Sequence, residues 1–264
     1  GWATTIAYCS AAGFTSWYFF VSGRSEMKIT TQLLRLQWGI VREIFSLGSV
    51  TLARQGVIAV LSIVLNNTLF AYGGALAMSA YGIIQRLMMF TNFPVLGITQ
   101  GFLPIAGYNY GAQLWGRVRQ TIRLSLMSGT IIACLTFAAI MIFTPQIARL
   151  FTNDQNLIQI TVPAIRASFL ATPLILFQLI GSAYFQAIGK AIPALLLTLT
   201  KQGFCLIPLL FLLPPIMGLD GIFYAFPIAD FISASICFFF LVREMRKMSK
   251  TEAAAKLEPS KVEA

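Results

Sequence analysis

Residues 81–104 form one apolar run that carries Arg86 and Asn92 and is interrupted by Pro94, Gly97 and Gly101. A helix in a soluble core has no need of an arginine, a proline and several glycines in a single apolar stretch. A transmembrane helix beside a polar cavity can use all of them, because neighbouring helices and water re-satisfy the backbone groups that the breakers free. The run is expected to end at Pro104 in a Gly/Asn/Tyr-rich turn, with the cations Arg117, Arg119 and Arg123 following.

Comparable apolar stretches occupy 1–23, 44–69, 76–104, 121–144, 157–187, 191–214 and 220–242. Each is long enough to cross a hydrocarbon core of about 30 Å, some with tilt. Hydrophobic residues make up 57% of the chain and charged residues 11%, with a mean hydropathy of +0.77; a soluble domain carries about 25% charged residues. The expected fold class is an all-α membrane protein, a polytopic transmembrane helix bundle of seven spans. Residues 24–43 differ in character. Leu34, Trp38 and Val41 recur at i, i+4 and i+7 with Arg35 and Arg42 opposite, the pattern of an amphipathic helix lying in the membrane interface. A lobe boundary is expected there. Residues 243–264 read as a basic collar and a disordered polar tail.

Charge sets the orientation. The net charge is +10 with no histidine. Arg24, Lys28, Arg35 and Arg42, then Arg117, Arg119 and Arg123, then Lys190, then Arg243, Arg246, Lys247 and Lys250 all fall on one side of the expected spans. The loops of the other side hold one cation, Arg149, with Asp154 and Asp220. The positive-inside rule makes the first side, and with it the C-terminus, cytoplasmic. Seven spans then put Gly1 outside, and an N-terminal half is expected to precede this chain. The cysteines Cys9, Cys134, Cys205 and Cys237 stand singly in apolar spans and are expected to be buried small side chains. Without histidine, a close carboxylate pair, a nucleophile elbow or a phosphate-binding glycine loop, the chain offers no enzyme signature, and no metal, cofactor or nucleic-acid partner is expected.

Five ionisable residues, Arg54, Arg86, Arg166, Lys201 and Asp230, lie inside spans. Each is nine or ten residues from one end of its span, about 15 Å deep at about 1.5 Å per residue. Facing lipid, each would cost about 2.5–3.5 kcal/mol. Two explanations stand: a hydrated central cavity lined by these residues, or buried hydrogen bonds that tie helices together. Uncharged polar residues extend the layer. Thr51, Gln55, Ser62 and Asn66 share one helix face; Gln85 and Asn92 another; Gln178, Ser182 and Gln186 a third; Thr198, Lys201 and Gln202 a fourth. Tyr81, Phe90, Phe177 and Tyr184 are candidates for aromatic walls. The helices 191–214 and 220–242 are joined by a short loop, so they are expected to be antiparallel neighbours with Lys201 and Asp230 paired at one height.

The sequence also resembles a known family. IIQR at 83–86, GITQGFLPIAGYNYGA at 97–112 and RVR at 117–119 are similar to the eighth helix and following loop of the multidrug and toxic compound extrusion (MATE) transporters. Gly97, Gln100, Gly101, Pro104, Gly107, Tyr108, Asn109, Tyr110, Gly111 and Ala112 carry the match, supported by NNTLFAYGG at 66–74, AYFQAIGK at 183–190 and PIAD at 227–230. The resemblance covers residues 1–245. It implies that residues 1–23 are the last helix of a first lobe, 24–43 a cytoplasmic linker and 44–242 a second six-helix lobe, the first lobe being the missing partner. It further implies a secondary antiporter of the plasma (in a bacterium, inner) membrane, monomeric when full length, that exports organic and often cationic amphipathic compounds by alternating access. Arg54, Gln55, Arg86, Asn92, Arg166, Gln178, Lys201 and Asp230 would line this lobe's half of the substrate cavity. Sodium-coupled members carry carboxylates on the helices resembling 44–69 and 157–187, where this chain has Arg54 and Arg166, so H⁺ is the expected coupling ion rather than Na⁺. Two other readings remain open: a flippase for lipid-linked or polysaccharide precursors in the same superfamily, and a membrane scaffold that transports nothing.

Overall fold

The structure, a computed structural model, describes residues 2–20 and 38–257. The greater part of the expected linker, residues 24–37, and the end of the tail, 258–264, lie outside the described residues. Contacts divide the chain into two compact units, Gly1–Ser49 and Val50–Ala264. The first contains α1 (Trp2–Phe20), a helix without a charged residue, and the start of α2 (Trp38–Gly111).

The second unit contains the rest of α2, α3 (Trp115–Phe151), α4 (Gln155–Ser168), α5 (Ile175–Ala187), α6 (Ala191–Leu199), α7 (Ile207–Leu212), α8 (Pro214–Met217) and α9 (Leu219–Leu257). A 3₁₀ turn at Thr172–Leu174 leads into α5, and a π-helical turn at Thr200–Leu206 joins α6 to α7. No strand occurs among the described residues. Arg54–Gly111, Trp115–Phe151, Gln155–Ala187, Ala191–Met217 and Leu219–Ser249 are long and apolar enough to cross a membrane. Helices satisfy their own backbone groups, which is what lipid demands of any segment that spans it. α1, with its threonines, serines, tyrosines and tryptophans, is not among them.

Gly74 divides α2. Its φ of 57° with ψ of −153° is a backbone conformation open essentially to glycine alone, and it falls in the expected gap between 69 and 76. Its neighbour Gly73 serves a different purpose. A Cβ there would lie 3.0 Å from the Leu219 side chain and 2.4 Å from the Ala77 Cβ, so glycine lets the start of α9 close over the bend.

Three expectations need correction. The helix does not end at Pro104 but runs on to Gly111. A proline lacks only its own N–H, and Asn109 steadies the extension by donating from Nδ2 to the Ile105 carbonyl at 2.8 Å. The chain turns only afterwards, where Gln113 takes a φ of 59° and the Leu114 N–H donates to the Asn109 carbonyl at 2.9 Å. The stretch 157–187 is not one continuous helix. It breaks at Phe169–Ala171, where the Thr172 hydroxyl donates to the Phe169 carbonyl at 2.7 Å ahead of Pro173. The polar tail is not disordered from its start: α9 continues past the basic collar to Leu257, with Arg119 of α3 paired to Glu252.

Candidate functional site at a polar waist

Two apolar clusters hold the second unit together. The first gathers Leu65, Leu69 and Ile84 of α2, Ile140 of α3, Ile165 of α4, Leu210 of α7, and Ile222, Phe223 and Ala229 of α9. The second gathers Phe102 of α2, Ile122 of α3, Leu176 and Tyr184 of α5, Leu197 of α6, and Cys237 and Leu241 of α9. Going along the chain, every passage from one cluster to the other crosses polar residues. These are Thr91 and Asn92 on α2, Thr136 on α3, Thr172 before α5, Thr200, Lys201 and Gln202 in the π turn, and Asp230 and Ser233 on α9. Apolar packing above and below thus leaves one polar waist across the bundle.

Lys201 and Asp230 meet in that waist. The Lys201 ammonium nitrogen lies 2.5 Å from Asp230 Oδ1, with 22% of the lysine side chain and 11% of the aspartate side chain exposed. The expected pairing is what the structure has. Lys201 sits in the π turn that packs against α9. A π turn is rare and recurs at functional sites. Here it precedes Pro208, which has no N–H to give to an α-helical ladder, and Gly203 lets it approach Val57 of α2, where a Cβ would come within 3.2 Å. The residue after Lys201, Gln202, holds a buried Oε1 with no hydrogen-bond partner among the described residues, and the same holds for the hydroxyls of Thr161 and Ser168 on α4. An unsatisfied buried polar atom costs about 1–3 kcal/mol, so these acceptors have capacity for a ligand or for water.

The remaining sequence-predicted residues are placed as follows. Arg54, Gln55, Arg86 and Arg166 are exposed on this chain, and none of the three arginines makes an ion pair among the described residues. Asn92 is half-buried and donates to its own helix, Nδ2 to the Met88 carbonyl at 2.8 Å. Gln178 is buried, 6% exposed, within the stretch of α5 that builds the second cluster. Of the eight, Lys201 and Asp230 form an ion pair with each other. Polar stripes also prove less demanding than their pattern suggests. Ser62 donates to the Ile58 carbonyl at 3.0 Å and Thr198 to the Ala194 carbonyl at 2.8 Å, so each is satisfied by its own helix without a cavity.

Among the motif residues, Gly97, Gln100, Gly101, Pro104, Tyr108 and Gly111 are exposed, and Asn109 is buried. Gly107 allows close approach to the end of α5: a Cβ would stand 3.1 Å from the Ala187 carbonyl oxygen. Tyr184 belongs to the core, fully buried with its hydroxyl 3.7 Å from Met248 Sδ, and so is not a cavity wall. Tyr81 stacks on Phe226 with ring centres 6.0 Å apart, and Phe177 meets Phe238 edge to face at 5.5 Å; Phe90 is exposed. Cys9 and Cys134 are exposed rather than buried, since single apolar spans present one face outward. The π turn and the unpartnered Gln202 acceptor were missed in the sequence. The signal was available in TKQG at 200–203, a polar insertion in an apolar run flanked by Pro193 and Pro208.

The MatE family model matches residues 53–212. The multidrug export protein MepA of Staphylococcus aureus (strain MSSA476) is 25% identical over 251 residues, which is 94% of this chain and 55% of that protein. The chain spans about half the length of the curated relatives it matches. Two solved structures share the fold. One is described as the inward-facing conformation of a multidrug resistance MATE family transporter of the MOP superfamily, with TM-score 0.82, 22% identity, and coverage of 95% of this chain and 58% of that one. The other is described as the outward-facing conformation of such a transporter, with TM-score 0.80, 21% identity, and coverage of 94% and 56%.

Proposed function

The chain belongs to the MatE family, and on that premise we propose that it is the second lobe, with the last helix of the first, of a multidrug-exporting secondary transporter. In this reading residues 1–23 close the first lobe, 24–43 link the lobes and 44–242 form the second. The cargo is organic, often cationic and amphipathic, and export proceeds by alternating access about a site near the membrane midplane. The observation that carries the reading is the Lys201–Asp230 pair in a polar waist between two apolar clusters. Intramembrane ionisable residues are costly and characteristically mark transport pathways. That this one fold matches structures described as inward-facing and outward-facing almost equally well supports lobes that move as bodies.

The exposed arginines at 54, 86 and 166 would complete the wall that this lobe turns toward its partner, with Gln55, Asn92 and Gln178 as neutral polar groups. H⁺ rather than Na⁺ is the coupling ion in this reading. Asp230, the acid of the waist, is already held by Lys201, and Arg54 and Arg86 on α2 with Arg166 on α4 add positive charge to the lobe, which raises the cost of binding a sodium ion. Transport rather than catalysis is the activity, and the full-length protein acts as a monomer in the plasma membrane with its C-terminus in the cytoplasm. The clustering of Lys190, Arg243 and Lys247 at one end of the bundle supports that orientation. A flippase for phosphate-bearing lipid-linked or polysaccharide precursors is the second reading, favoured by the unpaired arginines, which suit phosphate.

Efflux of a fluorescent organic cation from cells expressing the full-length protein tests the first reading. We expect efflux that falls at least tenfold in the Lys201→Met and Asp230→Leu single variants. Inert drug efflux together with an envelope defect in a deletion strain would favour the flippase instead.

A further inference from the structure

At the basic end of the bundle a groove of about 460 Å³ runs between α6 and α9. Lys190, Arg243 and Lys247 line it together with one acid, Glu244, which accepts from Lys247 Nζ at 2.7 Å. Among the described residues that line it, three cations accompany one carboxylate, so the lining is net positive. Its other walls are apolar, chiefly Leu196, Ile236 and Phe240. Leu196 is 49% exposed and Phe240 is 40% exposed, so the groove lies open along the side of the bundle.

The two kinds of wall are separated by depth. Along α6 the lining runs from Lys190 to Thr200, and along α9 from Lys247 back to Ile236. At about 1.5 Å per residue each track is about 15 Å long, which is the depth of one leaflet of a 30 Å hydrocarbon core. Cations therefore stand at headgroup level and apolar side chains at acyl-chain level.

We propose that this groove binds an anionic phospholipid, its phosphate at Lys190, Arg243 and Lys247 and one acyl chain along Leu196, Ile236 and Phe240. Basic pockets between transmembrane helices are built to take anionic headgroups. A soluble phosphate would engage the cations and leave the apolar track bare, whereas a lipid covers both. The bound lipid would tie the α5–α6 loop to the end of α9 and so fasten the basic end of the lobe.

Native mass spectrometry of the full-length polypeptide that carries this chain, in mixed micelles of phosphatidylglycerol and phosphatidylcholine, tests the proposal. Wild type should retain phosphatidylglycerol over phosphatidylcholine. The combined variant Lys190→Gln, Arg243→Gln and Lys247→Gln should lower that preference at least about fivefold. Glu244→Gln should raise it, a gain that a misfolded protein cannot show. Leu196→Trp, which narrows the apolar track and keeps every charge, should lower retention, and Arg149→Gln, outside the groove, should not change it. Equal retention of the two lipids by wild type, an unchanged preference in the triple variant or no gain in Glu244→Gln would overturn the proposal. So would full displacement by inorganic phosphate with Leu196→Trp indifferent, because the site would then recognise phosphate alone.

Discussion

Lys201 and Asp230 stand 2.5 Å apart, nitrogen to oxygen, although the lysine rides on a π turn and the aspartate on an α-helix. The pair is largely withdrawn from solvent, and each charge is the other's counter-ion. Removing one partner strands the other, which typically costs about 3–5 kcal/mol, whereas replacing both by apolar residues is often neutral or better. We therefore expect Lys201→Met and Asp230→Leu each to lower the thermal midpoint of the purified full-length protein by several degrees, and the double variant to recover most of that loss. Strictly additive losses would show that the two side chains do not depend on each other.

That pair was legible in the sequence because it followed from loop length and helical rise alone. The polar waist was legible for the same reason: depth along a helix can be counted in residues. What could not be counted was direction around the helix. Arg54, Arg86 and Arg166 were expected at one depth with the pair, but Arg86 and Arg166 stand beside residues of the first apolar cluster and all three are exposed on this chain, while Asn92 turns back on the Met88 carbonyl. Helix ends were equally hidden, because local hydrogen bonds decide them. Asn109 extends α2 past a proline that was read as its end, and Thr172 closes a turn inside what read as one span. The stretch of α9 beyond the basic collar reads as a polar tail in sequence, whereas in the fold Arg119 on another helix supplies Glu252 with a partner.

Gly74 and Gly82 lie on the same long helix and should respond oppositely to substitution. Gly74 has a φ of 57°, where a side chain is strained by about 1–3 kcal/mol. Gly82 is in regular helix with no atom within 4 Å of a would-be Cβ, where alanine is favoured over glycine by about 0.5–1 kcal/mol. Gly74→Ala should lower the thermal midpoint and Gly82→Ala should hold or raise it. Equal shifts in one direction would mean that the bend at Gly74 is not part of the folded state.

Glu252 ties the far end of α9 to Arg119 on α3, with 27% and 31% of the two side chains exposed. Ion pairs as accessible as this contribute about 0–1 kcal/mol. The contact should therefore order the last turns of α9 locally without supporting the whole lobe. Glu252→Gln should speed amide exchange in residues 246–257, as followed by hydrogen–deuterium exchange, and leave the global midpoint within a degree or two. A large drop in the midpoint would make this pair a main support of the fold.

The proposed coupling to protons rather than sodium has a direct consequence. A sodium site needs a cluster of oxygen ligands with negative character, and at the waist the carboxylate of Asp230 already faces an ammonium at 2.5 Å. In vesicles containing the full-length protein, replacing Na⁺ by K⁺ should leave drug transport unchanged, and collapsing the proton gradient should abolish it. Lys201→Met sharpens the test, because it frees the Asp230 carboxylate while removing the competing charge. If sodium dependence then appeared in that variant but not in wild type, the lysine would be confirmed as the occupant that excludes the ion. Sodium-dependent transport in wild type that vanished in Asp230→Asn, with the thermal midpoint retained, would instead identify Asp230 as a sodium ligand and remove the proton-coupled reading.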